Sequence, residues 1–277
     1  MERKRRQELE LISAVAKDTK NAVITGPAAA RVLGVSNLGW VEQVHLIMPG
    51  RSHQWGKKRQ YPDRVYVSAG ITDEDWYVNQ GFRVTTLVRA MFDTYRYCGR
   101  MPALVQIESA RNKWNAYTQK TLLEQSASLP RAHGLRGFRE LICLSTHQAE
   151  SPLETLARHQ ILQAVERGEL SEVRTVEVQV NFVVKDLDGA IVYARVDLLV
   201  NGYIAIELDG RVKTDGTYGD PVAVTLQERH REKELQNLGI IVLRFGWKAV
   251  MTGEFLKVIE AVLRMYPKPK TLPLRAA

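Results

Sequence analysis

Leu9, Ile12, Val15 and Ala16 recur at helical spacing and predict an amphipathic helix over residues 5–18. The stretch "VITGPAAARVLGV" follows, with Pro27 suited to a first helical turn and Gly34 to its stop. Strand-like apolar runs come at Val41–Met48 and Val65–Ser68, and "FRVTTLVRAMFDTYRY" reads as a strand leading into a helix. Helical patterns continue through 102–113, 117–127 and 135–145. The pattern restarts at "SPLETLARHQILQAVERG". There Ser151 is a helix cap, Pro152 fits the first helical position and Glu154 completes a capping box. Leu153, Leu156, Ala157, Ile161, Leu162 and Val165 form the apolar face of that helix. Strands are predicted over 176–184, 191–200 and 203–208, then a helix over 223–238, the strand "IIVLRF" and a closing helix over 253–265. The chain therefore reads as α/β in two parts.

The hairpin in the second part breaks its own hydrophobic pattern. Its arms, Val196–Val200 and Tyr203–Leu208, flank Asn201-Gly202, a strong short turn signal. Asp197 interrupts the first arm, Glu207 the second, and Asp209 ends it. Alternation puts Arg195, Asp197 and Leu199 on one face, and Ala205, Glu207 and Asp209 on one face of the partner strand. A tight turn brings Asp197 nearly opposite Glu207, within about 5.5 Å at Cβ. Two carboxylates this close repel, which raises one pKa unless a cation lies between them. Mg²⁺ or Mn²⁺, bound through one or two carboxylates with the remaining positions left to water and phosphate oxygens, removes the conflict. The competing explanation is a salt bridge to Arg195, Arg211 or Lys213. If the acids are unpaired, Glu207→Gln should leave metal-free stability unchanged or raise it.

Charge points to the partner. Lys and Arg number 39 against 31 Asp and Glu, for a net +8 and a pI near 9.5. That balance favours an anionic partner, with nucleic acid first. The loop "PGRSHQWGKKRQYP" interleaves Arg51, Lys57, Lys58 and Arg59 with Trp55 and Tyr61, a charge-and-stacking surface suited to DNA. No run of eighteen apolar residues is present, so no membrane partner is expected. The two cysteines, Cys98 and Cys143, lie far apart and imply neither a disulfide framework nor a zinc cluster, which fits a reducing cytoplasm. Serine-hydrolase, zinc-protease, Walker and Rossmann motifs are missing.

Asp197, nine residues, then Glu-x-Asp resembles the PD-(D/E)xK nuclease core, in particular the branch akin to very-short-patch-repair endonucleases. "SPLETLAR", "ARVDLLV", "IAIELDGRVK" and "ERHREKELQNLGIIVLRFGW" follow one another as the motifs of one bacterial group within that branch do. The resemblance implies a restriction-endonuclease-like mixed sheet flanked by helices over 147–267, and metal-dependent DNA cleavage in mobile-element or phage-defence biology. It implies that Asp197 and Glu207 bind Mg²⁺ or Mn²⁺, with Glu154 completing the metal site. Its capping role is an equal alternative for that residue. Asp209 stands where the general motif has lysine. Lys213 replaces a histidine common in relatives, and Arg211 and Arg231 face DNA, with Glu228 paired to Arg231. More weakly, "VITGPAAARVLGV" and "RVTTLVRAMFDT" resemble abortive-infection antitoxins of the AbiEi type. That implies a mixed α/β region over 1–146 with room for no more than a truncated helix-turn-helix before Val23. Residues 268–277 read as a flexible tail, and a homodimer is left open. The rival function is a DNA-binding regulator or antitoxin that uses a nuclease fold without cutting.

Overall fold

The computed structural model describes residues 2–50, 60–210 and 221–266. It is mixed α/β and divides into two compact units, Met1–His147 and Gln148–Ala277.

The first unit runs α1 (Glu2–Asp18), β1 (Val23–Thr25), α2 (Gly26–Val32), β2 (Val44–Ile47), β3 (Arg64–Tyr66), a 3₁₀ turn at Asp73–Asp75, β4 (Trp76–Asn79), β5 (Phe82–Thr85), α3 (Leu87–Cys98), α4 (Arg100–Lys113), α5 (Gln119–Gln125) and α6 (Leu135–Leu144). Its five strands lie in the order β3-β2-β1-β5-β4. Strand β1 is antiparallel to β2 and parallel to β5. The apolar stripe of α1, through Ile12 and Val15, packs with Ile24, Leu46 and Val84 of the sheet. A second core joins Met91, Phe92, Leu104, Ile107, Phe138 and Leu141 of the helices that follow. Strands β1 and β4 escape the sequence pattern because three or four residues are too few to show a period.

One buried charge cluster belongs to this unit. The stretch "RVTTLVRAMFDT" supplies Thr85, Arg89 and Asp93, and Arg89 and Asp93 are both 0% exposed. Asp93 Oδ2 accepts from Arg89 Nε at 2.9 Å and from Thr25 Oγ1 at 2.7 Å. Arg89 Nη2 also donates to the Gly70 carbonyl at 2.8 Å. The motif thus ties helix, sheet and loop together from inside.

The second unit runs α7 (Pro152–Glu166), β6 (Val176–Lys185), β7 (Ile191–Val200), β8 (Ile204–Asp209), α8 (Pro221–Asn237), β9 (Ile241–Gly246), α9 (Trp247–Thr252) and α10 (Glu254–Met265). Its sheet order is β6-β7-β8-β9, antiparallel except for the parallel β8–β9 pair. Antiparallel neighbours need only tight turns, whereas the parallel pair requires the α8 crossover.

The β7–β8 turn is fixed by its own chemistry. Asn201 and Gly202 take φ of +52° and +81°, the left-handed region that these two residue types tolerate best. The Asn201 side chain accepts from the Arg174 and Thr175 N–H groups at 2.7 and 3.2 Å, and donates to the Glu172 carbonyl at 2.9 Å. Asn201→Ala should therefore cost about 2–4 kcal/mol, from lost hydrogen bonds and a strained backbone. A denaturant melt within about 0.5 kcal/mol of the parent would show that the turn does not depend on this side chain.

Candidate active site

The hairpin register sets the acids against each other. Leu198 pairs with Ile206, Leu199 with Ala205 and Val200 with Ile204. One further step along that register would bring Asp197 opposite Glu207, and Glu207 is close enough to act on the Asp197 carboxyl. The regular ladder stops there, and the Leu208 N–H donates instead to Asp197 Oδ2 at 2.7 Å.

The neighbouring strand is irregular at the same level. Strand β6 pairs with β7 in one constant register, but a Gln179–Asp197 pair is missing from it. Gln179 there has φ +54°, unusual for a residue with a side chain. Strict alternation would put Val196 and Leu199 on opposite faces, yet both join the core with Leu235 and Ile240. The predicted alternation through Arg195, Asp197 and Leu199 is thus interrupted at Asp197. Such local breaks re-aim side chains, and they gather at functional positions.

Helix α7 brings the third acid. Ser151 Oγ accepts from the Glu154 N–H at 3.2 Å, the expected cap. The Glu154 carboxylate reaches past the cap residue. Its Oε2 accepts from the Glu150 N–H and from Gln179 Nε2, both at 2.9 Å. Glu154 is buried, so it finishes the helix start and reaches the sheet as well.

The electrostatics converge on Asp197. Its carboxyl is pushed up to about 6, chiefly by burial; the Leu208 N–H opposes this, Glu154 and Glu207 add to it, and Arg195 opposes it. A carboxyl group in this setting attracts a cation. Asp197, Glu207 and Glu154 offer only oxygen donors, and the Gln179 Oε1 beside them is buried with no hydrogen-bond partner among the described residues. This donor set fits a hard divalent ion such as Mg²⁺ or Mn²⁺. Among the described residues no three His, Cys, Asp or Glu side chains already stand in metal-holding geometry. Mg²⁺ sites often rest on two carboxylates and water, so a third side chain is not required.

Glu207 has its own cations. Its Oε1 accepts from Arg231 Nη2 at 2.7 Å, and its Oε2 from Arg244 Nε at 2.8 Å. Arg244 arrives because β9 pairs in parallel with β8 and sets Arg244 beside Glu207. Arg231 arrives from α8 and also donates to the Arg195 carbonyl at 3.0 Å. Arg195, expected as a neutralising partner for the acids, instead makes a two-pronged pair with Glu150 at 2.8 and 2.9 Å. Of the other predicted positions, Asp209 is exposed at the end of β8 and Glu228 is exposed on α8. Arg51, Lys57, Lys58, Arg59, Arg211 and Lys213, and the tail 268–277, lie outside the described residues.

Gln179 and Arg244 were missed by sequence reasoning. Gln179 could have been found by counting back from the Asp186–Ala190 turn, where Lys185 pairs with Ile191. Arg244 carries no local signal, since its partner is set by a parallel crossover. Comparison with protein-family models, with curated proteins and with solved structures finds no match to this chain.

Proposed function

We propose that the second unit is a metal-dependent deoxyribonuclease of restriction-endonuclease-like fold. The observation that carries this reading is the closeness of Asp197, Glu207 and buried Glu154 at the end of the hairpin ladder, where both glutamates raise the Asp197 pKa. Like charges placed close together cost stability, and a bound cation relieves that cost. Asp197 and Glu207 are the proposed ligands, and Gln179 holds Glu154 toward them. When bound, Mg²⁺ or Mn²⁺ would neutralise charge on a phosphodiester and lower the pKa of a coordinated water. The chain itself orients that phosphodiester through its arginines and carries Asp209 at the open end of β8.

A second reading has its own support. Both Glu207 oxygens already hold arginines, which suits a nuclease-like fold that binds DNA without cutting it. Supercoiled plasmid and single-stranded DNA, incubated with the full chain and Mg²⁺ or Mn²⁺, separate the two. Metal-dependent nicking supports the enzyme. Tight binding with intact DNA under every metal condition supports the regulator. In both cases the net charge of +8 leads us to expect affinity that falls steeply with salt, as several phosphate contacts require. A flat salt dependence, or no binding at low salt, would remove DNA as the partner.

A further inference from the structure

We infer that Arg231 and Arg244 are a phosphate-binding pair held in reserve on Glu207, so that DNA and the divalent ion each promote binding of the other. The inference rests on the proposed nuclease reading and assigns a role to Arg244 that its sequence position does not suggest.

Three observations carry it. First, the arginines compete with a metal for one charge. Arg231 Nη2 and Arg244 Nε end on the two oxygens of one carboxylate, at 2.7 and 2.8 Å. A divalent ion on that same carboxylate meets two guanidinium charges, so it binds better once at least one of them has left. Second, the clamp is weak enough to exchange. Glu207 is 15% exposed, but Arg231 and Arg244 are 33% and 43% exposed. Ion pairs this open to water are weak. Third, each arginine has another anchor that steadies it after release. Arg231 Nη1 holds the Arg195 carbonyl at 3.0 Å, and Arg244 Nη2 lies 3.2 Å from Glu232. Guanidinium forks match phosphate oxygens as well as carboxylates.

An exchange follows from these constraints. In the free protein the arginines neutralise Glu207 and oppose metal binding there. A DNA backbone offers them phosphate oxygens and vacates the carboxylate. Coupling of this kind is reciprocal, so the metal must strengthen DNA binding by the same factor.

Mn²⁺ binding to the full chain, followed by electron paramagnetic resonance with and without a short phosphorothioate duplex, tests the exchange. For the parent, the duplex should tighten Mn²⁺ binding by about tenfold, within the ordinary span of coupled sites. The variant carrying Arg231→Gln and Arg244→Gln should bind Mn²⁺ about tenfold tighter than the parent without DNA. Its duplex affinity should be lower, with a salt slope smaller by about 1–2. A double variant that binds Mn²⁺ no tighter than the parent overturns the exchange and leaves the nuclease reading standing. A parent that binds no Mn²⁺ with or without duplex overturns both. Should the double variant not fold, Arg244→Gln alone must still tighten Mn²⁺ binding, and its failure to do so overturns the exchange equally.

Discussion

Asp197→Asn should abolish metal-dependent cleavage, on the order of 10³-fold or more, while making the metal-free protein more stable at neutral pH. The amide keeps an oxygen to accept the Leu208 N–H, so the local hydrogen bond survives. What disappears is a charge that burial, Glu154 and Glu207 all disfavour. The native carboxyl titrates at about 6 against an ordinary 3.8, so the folded protein binds this proton more tightly than the unfolded chain does. Its contribution to stability is fully present below about pH 4 and is lost as pH rises through 6. The parent should therefore fall behind Asp197→Asn by on the order of 1–2 kcal/mol at pH 7.5, a figure reduced for the water that reaches the carboxyl. The two should converge near pH 4. Thermal melts across that range, beside a plasmid-nicking assay, read both effects. A variant less stable than the parent at pH 7.5, or one that still cuts, would remove Asp197 from the proposed metal site.

Glu207 behaves differently. With both oxygens on arginines, Glu207→Gln strands two partly exposed cations. The gain expected from an unpaired acid is thereby replaced by a small loss.

Asp93→Ala should destabilise the first unit by about 3–5 kcal/mol, the larger of the stability effects expected. Arg89 is wholly buried, and Asp93 supplies its 2.9 Å charge-assisted bond and the acceptor for Thr25. Removing the carboxylate leaves a guanidinium in low dielectric with the Gly70 carbonyl at 2.8 Å and Asp75 at 3.5 Å as its named partners. Replacing Arg89 and Asp93 together with Met and Leu should recover much of the loss, since a buried pair stabilises little over apolar residues of similar size. Denaturant unfolding of the three proteins decides this. An Asp93→Ala midpoint unchanged from the parent would mean that water or another acid compensates Arg89.

Most elements were legible along the chain, and for local reasons. The strands expected over 176–184 and 191–200 are observed as Val176–Lys185 and Ile191–Val200. Val176, Val178 and Val180 alternate with polar residues in the first, and Leu198, Leu199 and Val200 close the second with an apolar run. Ser151 caps its helix because the cap and the N–H it satisfies are three residues apart. The closeness of Asp197 to Glu207 was legible for a similar reason: Asn201-Gly202 fixes a turn, and a turn fixes a register.

The partners of those acids were not legible. Arg244 reaches Glu207 through the parallel pairing of β8 with β9, and Arg231 reaches it from α8. The place of Gln179 can be counted from the Asp186–Ala190 turn, but no residue type announces its left-handed backbone. Arg89 and Asp93 look in sequence like an ordinary surface pair one helical turn apart, and only the fold buries them. The sequence by itself determined the elements, the hairpin and the three acids, because these depend on residues close in the chain. Tertiary structure decided which cations meet those acids and how deeply each charge lies. Such contacts join segments far apart in the chain, and their strength depends on a dielectric that exists only after folding.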